Sequence, residues 1–197
     1  DVDTAWLLHG LPRASPFLVD VPRPQHCVRG QHWRWDGVDF EILNPAPSAY
    51  RELKRKDNNF SCALRVKVAN HSLLLTGDGE KQVERELLAN TSEKLPASVL
   101  VAGHHGSLTS STPDFVSQVR PAAVIYTVGY RNRFGHPKPQ VVARYRAIGA
   151  SQFRSDRDGL IRLDFGGAGI QASQYRPKRR HYWQYEFEPN APLHEFD

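Results

Sequence analysis

Apolar and polar positions follow two different rhythms along this chain. In the first part, short apolar runs alternate with turn residues, which is typical of antiparallel hairpins. This pattern predicts one hairpin that turns at Asp36 and Gly37, and a second that turns at Asn70 and His71. The predicted strands are 16–21, 32–35, 38–43, 61–68 and 72–76, and residues 44–59 are predicted to form a loop with one helical turn.

The second part alternates apolar runs with amphipathic stretches. Val83, Leu87 and Leu88, for example, recur at helical spacing, and Ser111 or Thr112 is the predicted cap of the next helix. Hairpins followed by strand–helix units predict an α/β fold with a sheet buried between helices. The predicted helices are 80–90, 113–119 and 139–148, and the predicted strands are 98–102, 122–128, 152–155, 159–165 and 169–175.

The domain organisation follows from the same pattern. Residues 1–177 are predicted to form one layered domain, and 178–197, aromatic and then acidic, an edge segment or tail. The chain opens at Asp1 without any methionine, and residues 1–8 look like an element already under way. We therefore expect a piece of a longer protein, although a processed mature chain stays open.

Composition adds three points. No apolar run approaches the roughly 20 residues that a membrane helix needs. The net charge of +5 mildly favours polyanionic partners such as nucleic acid. Cys27 and Cys62 form no CxxC pair, which excludes a zinc knuckle, and both a disulfide and two buried thiols remain open.

The chemistry is concentrated where apolar strands end. Asp78 follows one predicted strand, His104 and His105 follow the next, and His136 follows a third. Because ligand crevices of open α/β sheets form at strand ends, we expect these side chains to meet. A carboxylate and several imidazoles can together hold zinc or manganese.

Each of these residues also has a purely structural interpretation. Asp78 could cap or turn the helix that follows it. Neighbouring side chains at the end of a strand point in opposite directions, so His104 and His105 are not both expected in the core, but a surface pair without a role stays open. His136 could be an incidental loop histidine.

The ordered motifs NNFS, LLLTGD, VLVAGHHGS and GYRNRFGHP together resemble the metallo-β-lactamase-like domain of the ComEC family of DNA-uptake proteins. The similarity runs from about Asn58 to Asp164. It implies an αββα sandwich of which this chain is the C-terminal half to two-thirds. It also implies a metal-dependent phosphodiesterase that acts on incoming DNA during natural transformation, with two divalent ions, Zn or Mn, in the complete domain.

The resemblance also implies site residues. Asp78 would bridge the two metals, with His104, His105 and His136 at or beside the site. His104, His105, Asn59, Ser61 and Ser107 are the candidate catalytic residues, and Ser107, Ser110 and Ser111 are candidates for binding phosphate oxygen. The candidate nucleic-acid-binding residues are Arg131, Asn132, Arg133 and Lys138.

The chain departs from the family in one respect: the histidine–aspartate cluster HxDxDH is absent from these residues. Since that cluster supplies most of the metal ligands, we expect it upstream of Asp1 and expect this chain alone to be inactive or to bind no metal. The partners implied are single-stranded or incoming DNA, the membrane-channel portion of the same polypeptide and, through exposed sheet edges, a second copy. The expected location is the extracytoplasmic side of an inner membrane.

Two other functions remain open at this point. One is a non-catalytic module that binds DNA or braces the channel. The other is hydrolysis of a different phosphodiester.

Overall fold

The computed structural model describes residues 8–9, 25–52, 54–167 and 169–178. The predicted strand 16–21, the start of the chain before residue 8 and the tail beyond residue 178 lie outside these residues. The proposed division at residue 177 therefore stays a prediction.

A seven-stranded sheet forms the centre of the fold. Its first four strands pair antiparallel, and its last three continue from the fourth in parallel. The change of direction matches the two rhythms of the sequence, hairpins first and strand–helix units afterwards. In spatial order the strands are β3 His32–Trp35, β4 Val38–Asn44, β5 Ala63–Val68, β6 His71–Leu75, β7 Val99–Val101, β8 Ala123–Tyr126 and β9 Ser151–Arg154.

Two further pairs of strands lie outside this sheet. β1 Leu8–His9 pairs in parallel with β2 Gln25–His26. Near the end of the described chain, β10 Ile161–Gly166 and β11 Gly169–Gln174 form an antiparallel hairpin.

Helices connect the parallel strands, as the apolar periodicity predicts. Short 3-10 turns occupy Pro47–Arg51, Asp57–Phe60, Ser92–Lys94 and Gly103–Gly106, so the predicted loop 44–59 holds two helical turns instead of one. The α-helices are α1 Lys81–Thr91, α2 Pro113–Val119, α3 Pro139–Ala147, α4 Ser155–Asp158 and α5 Tyr175–Lys178.

The two faces of the sheet are covered differently. On one face, Val83 of α1, Phe115 of α2 and Tyr145 of α3 pack with strand residues in the larger core cluster. On the other face, Ile170 of β11 packs in a smaller cluster with Phe153 of β9. The expectation of a sheet between helices is therefore wrong for the part of the chain that the structure describes, where a β-hairpin covers the second face.

The predicted cap of α2 also needs correction. Thr112 occupies the N-cap position, but neither its hydroxyl nor that of Ser111 makes a capping bond. The buried carboxylate of Glu84 on α1 accepts the backbone N–H groups of both residues instead. A carboxylate distant in sequence thus holds the N-cap residue and the residue before it, close to the positive end of the helix.

Cys27 and Cys62 form a disulfide, which settles the alternative that the sequence left open. The bond joins the segment after β2 to the start of β5. Of the helices in the described ranges, none has the length and apolar character needed to cross a bilayer.

Candidate metal centre

The candidate site is built at the carboxyl ends of β6 and β7. After β6 the chain turns at Gly77 and Asp78, and after β7 it enters the 3-10 turn Gly103–Gly106. The two turns are joined because the backbone N–H of His104 donates to the carbonyl of Gly77 at 2.9 Å. Neighbouring parallel strands thus bring the two motifs together, as predicted from strand order.

Asp78 is held with its carboxylate half exposed. Its backbone N–H donates to Ser61 Oγ at 3.0 Å. Gly77 has a φ of 55°, and a Cβ there would lie 3.0 Å from Ser61 Cβ, so the tight turn requires glycine. The cap of α1 is Glu80, whose N–H donates to Asn59 Oδ1 at 3.2 Å. The helix-cap interpretation of Asp78 is therefore wrong.

His105 lies directly against Asp78. Its Nδ1 is 2.7 Å from the carbonyl oxygen of Thr127, and its Nε2 is 3.3 Å from Asp78 Oδ1. Because a carbonyl oxygen only accepts, Nδ1 carries the proton, and Nε2 faces the carboxylate. An imidazole fixed in this way by its other nitrogen is the usual arrangement of a histidine metal ligand.

His104 is fixed in the same manner by a different partner. Its Nδ1 is 3.0 Å from Thr109 Oγ1, whose own hydroxyl donates to Ser107 Oγ at 3.1 Å. Thr109 therefore accepts from Nδ1, which leaves Nε2 of His104 as an acceptor. Glu80 Oε1 lies 4.0 Å from the same Nδ1.

The backbone explains how both histidines serve one site. His104 and His105 have φ values of 45° and 57°, in the left-handed region, within the 3-10 turn. The expectation that adjacent residues diverge applies to an extended strand, and it is wrong here because the strand has already ended. The two ring centroids lie 6.3 Å apart. Left-handed backbone at two consecutive non-glycine residues is strained and is typical of functional sites.

His136 approaches from the loop after β8. Its ring centroid lies 6.0 Å from that of His104 and 5.8 Å from that of Phe134. Burial, together with the charges of Lys138, His104 and His105, lowers the pKa of His136. A lowered pKa favours the neutral ring, which is the form that can bind a metal.

These side chains form an incomplete metal site. Within residues 25–52, 54–167 and 169–178, no group of three histidine, cysteine, aspartate or glutamate side chains is close enough to hold a metal ion. Asp78 and His105 form a contacting carboxylate–imidazole pair, and His104 and His136 flank it. The donor set fits part of the coordination sphere of a divalent metal, with further ligands needed.

Two of the candidate catalytic residues have structural roles. The amide of Asn59 accepts from Glu80 N and donates to Gln82 Oε1 at 3.0 Å, and the residue is buried. Ser61 Oγ is the acceptor for Asp78 N. Asn59 therefore organises the start of α1, and Ser61 positions Asp78, whereas the catalytic roles of both residues stay predictions.

Ser107, Ser110 and Ser111, the candidates for binding phosphate oxygen, lie in the stretch between β7 and α2. All are buried, and Ser111 is completely so. Ser107 Oγ accepts from Thr109, Ser110 Oγ donates to the carbonyl of Gly103 at 2.6 Å, and Ser111 Oγ accepts from Tyr145 at 3.1 Å. Their hydroxyls stabilise the stretch after β7, and phosphate binding by these serines stays a prediction.

The loop between β8 and α3 carries exposed cations on exposed aromatic rings. The guanidinium of Arg131 lies 5.2 Å from the Tyr130 ring centroid, and that of Arg133 lies 4.8 Å from the Phe134 ring centroid. Both rings are more than half exposed. Arginine–aromatic surfaces of this kind suit the stacked bases and phosphates of single-stranded nucleic acid.

Two other residues assigned to nucleic acid are engaged within this loop. The amide of Asn132 accepts from His136 N at 2.8 Å and donates to His136 O at 2.9 Å, which closes the loop, and its role as a nucleic-acid contact stays a prediction. Lys138 Nζ donates to the carbonyl of Phe134 at 2.6 Å.

Sequence reasoning missed Glu80, Thr109 and Thr127, which orient the histidines. Glu80 stands next to the GDG turn, and its side chain pairs with Lys56 at 2.9 Å. Thr127 ends the AAVIYT run, the same kind of strand-end position that singled out Asp78 and His104. The strand-end rule could have identified Thr127, whereas the contact of Thr109 depends on the turn geometry.

No protein-family model matches the chain. The chain is 39% identical over 175 residues to competence protein ComA of Neisseria gonorrhoeae, and the aligned region covers 89% of this chain and 24% of ComA. Recombination protein 2 of Haemophilus influenzae is 34% identical over 77% of this chain and 18% of its own length. ComE operon protein 3 of Bacillus subtilis is 31% identical over 78% of this chain and 19% of its own length.

The chain thus spans about a quarter or less of the length of the curated relatives it matches. Among solved structures, CmlA, a diiron β-hydroxylase from Streptomyces venezuelae, is 11% identical with a TM-score of 0.46, over 68% of this chain and 33% of CmlA. The CmlA E377D mutant is 12% identical with a TM-score of 0.44, over 68% of this chain and 32% of the mutant chain. Similarity at this level does not assign a fold.

Proposed function

Since this chain is homologous over most of its length to proteins named for competence and recombination, we propose that it acts in natural transformation as part of a metal-dependent phosphodiesterase domain for DNA. The observation that carries the proposal is the contact between Asp78 and His105, with the His105 ring oriented by Thr127. We further propose that the layers correspond to one half of a metallo-β-lactamase-like sandwich.

In this proposal the metal ligands come from two parts of the longer polypeptide. Asp78 Oδ1 and His105 Nε2 hold divalent metal on this side, with His136 beside them. The described residues provide too few ligands to complete the site. We propose that a histidine–aspartate cluster outside the described residues supplies the rest, for two ions, Zn or Mn, in all.

The residues of this chain then have separate tasks. Divalent metal, when bound, supplies Lewis acidity at the scissile phosphate. His104 Nε2, left as an acceptor by the Thr109 contact, would take up a proton from solvent and pass it to the leaving oxygen.

The exposed loop would bring the strand to this site. Arg131 and Arg133 provide positive charge, and Tyr130 and Phe134 provide faces on which bases can stack. The disulfide is consistent with a location outside the cytoplasm, where we propose that the domain lies beside the membrane-channel portion of its polypeptide.

Cleavage of a single-stranded oligonucleotide in Mn²⁺ tests the proposal. This chain is combined with a segment that carries the histidine–aspartate cluster, and Asp78→Asn is compared with the matched variant Asp36→Asn in an exposed hairpin turn. We expect Asp78→Asn to reduce cleavage at least about 100-fold, the usual scale of a lost metal-site interaction, and Asp36→Asn to be neutral. Absence of metal-dependent cleavage in the combined protein would contradict the proposal.

A second candidate, a DNA-binding module without catalysis, is favoured by the exposed arginine–aromatic loop together with the incomplete metal site. Under this alternative, DNA binding survives Asp78→Asn, falls steeply with salt and weakens on Arg131→Gln. Under the phosphodiesterase proposal the same loop variant lowers cleavage through weaker substrate binding, and Asp78→Asn abolishes turnover of bound strand.

A further inference from the structure

A second polar pocket lies at the opposite end of the sheet from the histidines. It is open and has a volume of about 530 Å³. Its lining includes the amino end of β6 at Ser72 and the approach to β7 at Ser98, whereas the metal centre follows the carboxyl ends of the same two strands. Its position makes it a separate site.

Three cationic side chains line this pocket, Arg65, Lys67 and Arg120, and none of the described residues in its lining is acidic. Arg65 and Lys67 are two residues apart on β5 and therefore share one face. That face is the helix-covered one, since Arg65 pairs across the sheet with the core residue Leu74. Arg120 follows the last residue of α2 and meets them from the helix layer.

These three cations lack ion-pair partners among the described residues. The carboxylates opposite them on β4 are paired elsewhere, Glu41 with Lys94 at 2.5 Å and Asp39 with Arg34 at 3.7 Å.

The Arg65 side chain adds an independent sign of a ligand. Its Nε is buried and has no hydrogen-bond partner in the part of the chain that the structure describes. A buried donor without an acceptor on a cationic side chain is costly, and an anion close to the guanidinium would offset part of that cost through its charge. Guanidinium groups bind phosphate oxygens through paired N–H donors, so phosphate suits this position.

The rest of the lining indicates something larger than inorganic phosphate. Pro96, Ala97 and Val119 contribute apolar surface beside the hydroxyls of Ser72 and Ser98. A pocket of this volume is in the range of small-molecule sites, which begins at about 300 Å³. The cationic part of the lining suits a phosphate group, and the apolar part suits a base or a similar ring that is joined to the phosphate.

We propose that this pocket binds a nucleotide through its phosphate, with Arg65, Lys67 and Arg120 as the phosphate contacts. The site is independent of the metal centre and of the phosphodiesterase proposal. The proposed ligand is a nucleoside monophosphate, either as a free nucleotide or as the terminal nucleotide of a DNA strand.

NMR chemical-shift titration of this chain with 2′-deoxyadenosine 5′-monophosphate tests the proposal. We expect saturable shifts at the amides of Arg65, Lys67 and Arg120, much weaker binding of inorganic phosphate, and none of deoxyadenosine. A 5′-phosphorylated oligonucleotide that competes better than the free nucleotide identifies a strand end as the ligand, and the reverse result identifies the free nucleotide. Equal binding of nucleotide and nucleoside, or shifts centred elsewhere, overturns the proposal.

Charge variants provide the second arm. Lys67→Gln should weaken nucleotide binding about tenfold, the effect of losing one charge-assisted hydrogen bond. Lys67 is exposed, so the variant should fold even if Arg65→Gln does not. The matched control, Lys54→Gln, removes an exposed lysine outside the pocket. An equal loss in both variants would show nonspecific charge attraction and would overturn the site.

Discussion

At the scale of single residues, Glu84 connects α1 to the two residues that directly precede α2. The side chain is buried on α1, and its two carboxylate oxygens accept the N–H groups of Ser111 and Thr112. Burial raises the pKa of Glu84, and the bonds from Thr112 and Ser111 oppose that rise. The same stretch is tied from the other side, because Arg144 Nη1 donates to Ser111 O at 2.6 Å.

Glu84→Gln should therefore destabilise the fold. The amide NH₂ would face a backbone N–H, leaving donors without acceptors, which costs about 1–3 kcal/mol. Urea unfolding measures the loss, and Glu93→Gln, at an exposed glutamate after α1, is the matched control with no expected change. An unchanged midpoint for Glu84→Gln would show that the carboxylate does not cap α2.

His136 gives a prediction about pH. Its pKa is lowered by burial, Lys138 and the two neighbouring histidines, so the ring should titrate below the ordinary value of about 6.5. A lowered pKa means that the folded state resists protonation of His136. The contribution of His136 to stability is therefore present above the unfolded-state pKa, and it is lost as the pH falls from there through the lowered pKa of the folded state. NMR titration of the ring measures the midpoint, and one above that of an unstructured histidine would contradict this account.

At the scale of elements, strand ends were more predictable than turns. The alternation of apolar residues predicted the hairpins and the α/β order, and the strand-end rule brought Asp78 and His105 into contact. It did not predict the left-handed backbone of His104 and His105, because φ in a turn depends on tertiary hydrogen bonds. The Glu84 cap and the hairpin over the second face depend on long-range packing in the same way.

Ser61 tests how one loop positions a turn in another element. Ser61→Ala removes the acceptor of Asp78 N and should cost about 1 kcal/mol. Hydrogen exchange of the Asp78 amide should quicken, whereas exchange in β8 should not change. Ser117→Ala, at an exposed serine of α2, is the control. Unaltered exchange at Asp78 would remove Ser61 from its positioning role.

At the scale of the whole molecule, one covalent bond joins distant parts of the fold. Cys27 and Cys62 are separated by 35 positions, and the bond fixes the segment before β3 to the start of β5. Ser61, whose hydroxyl accepts the backbone N–H of Asp78, directly precedes Cys62. The disulfide is therefore one residue away from a contact of the Asp78 turn.

Reduction should therefore lower the stability of the whole domain. Closing a loop of this length contributes about 3–4 kcal/mol through the unfolded state. Thermal unfolding with and without a reductant measures the effect, and the double variant Cys27→Ser/Cys62→Ser should not respond to the reductant. Two titratable thiols in the native, unreduced protein would contradict the bond.

Divalent-metal binding by this chain tests the central claim most directly, because the proposed phosphodiesterase activity depends on the Asp78–His105 pair. Isothermal titration with Zn²⁺ should show weak binding that Asp78→Asn or His105→Ala weakens about tenfold or more, with Asp36→Asn unchanged. NMR of the same samples should place the perturbation on the rings of His105, His104 and His136. Zinc binding that is indifferent to both substitutions, or centred on other histidines, would contradict the account.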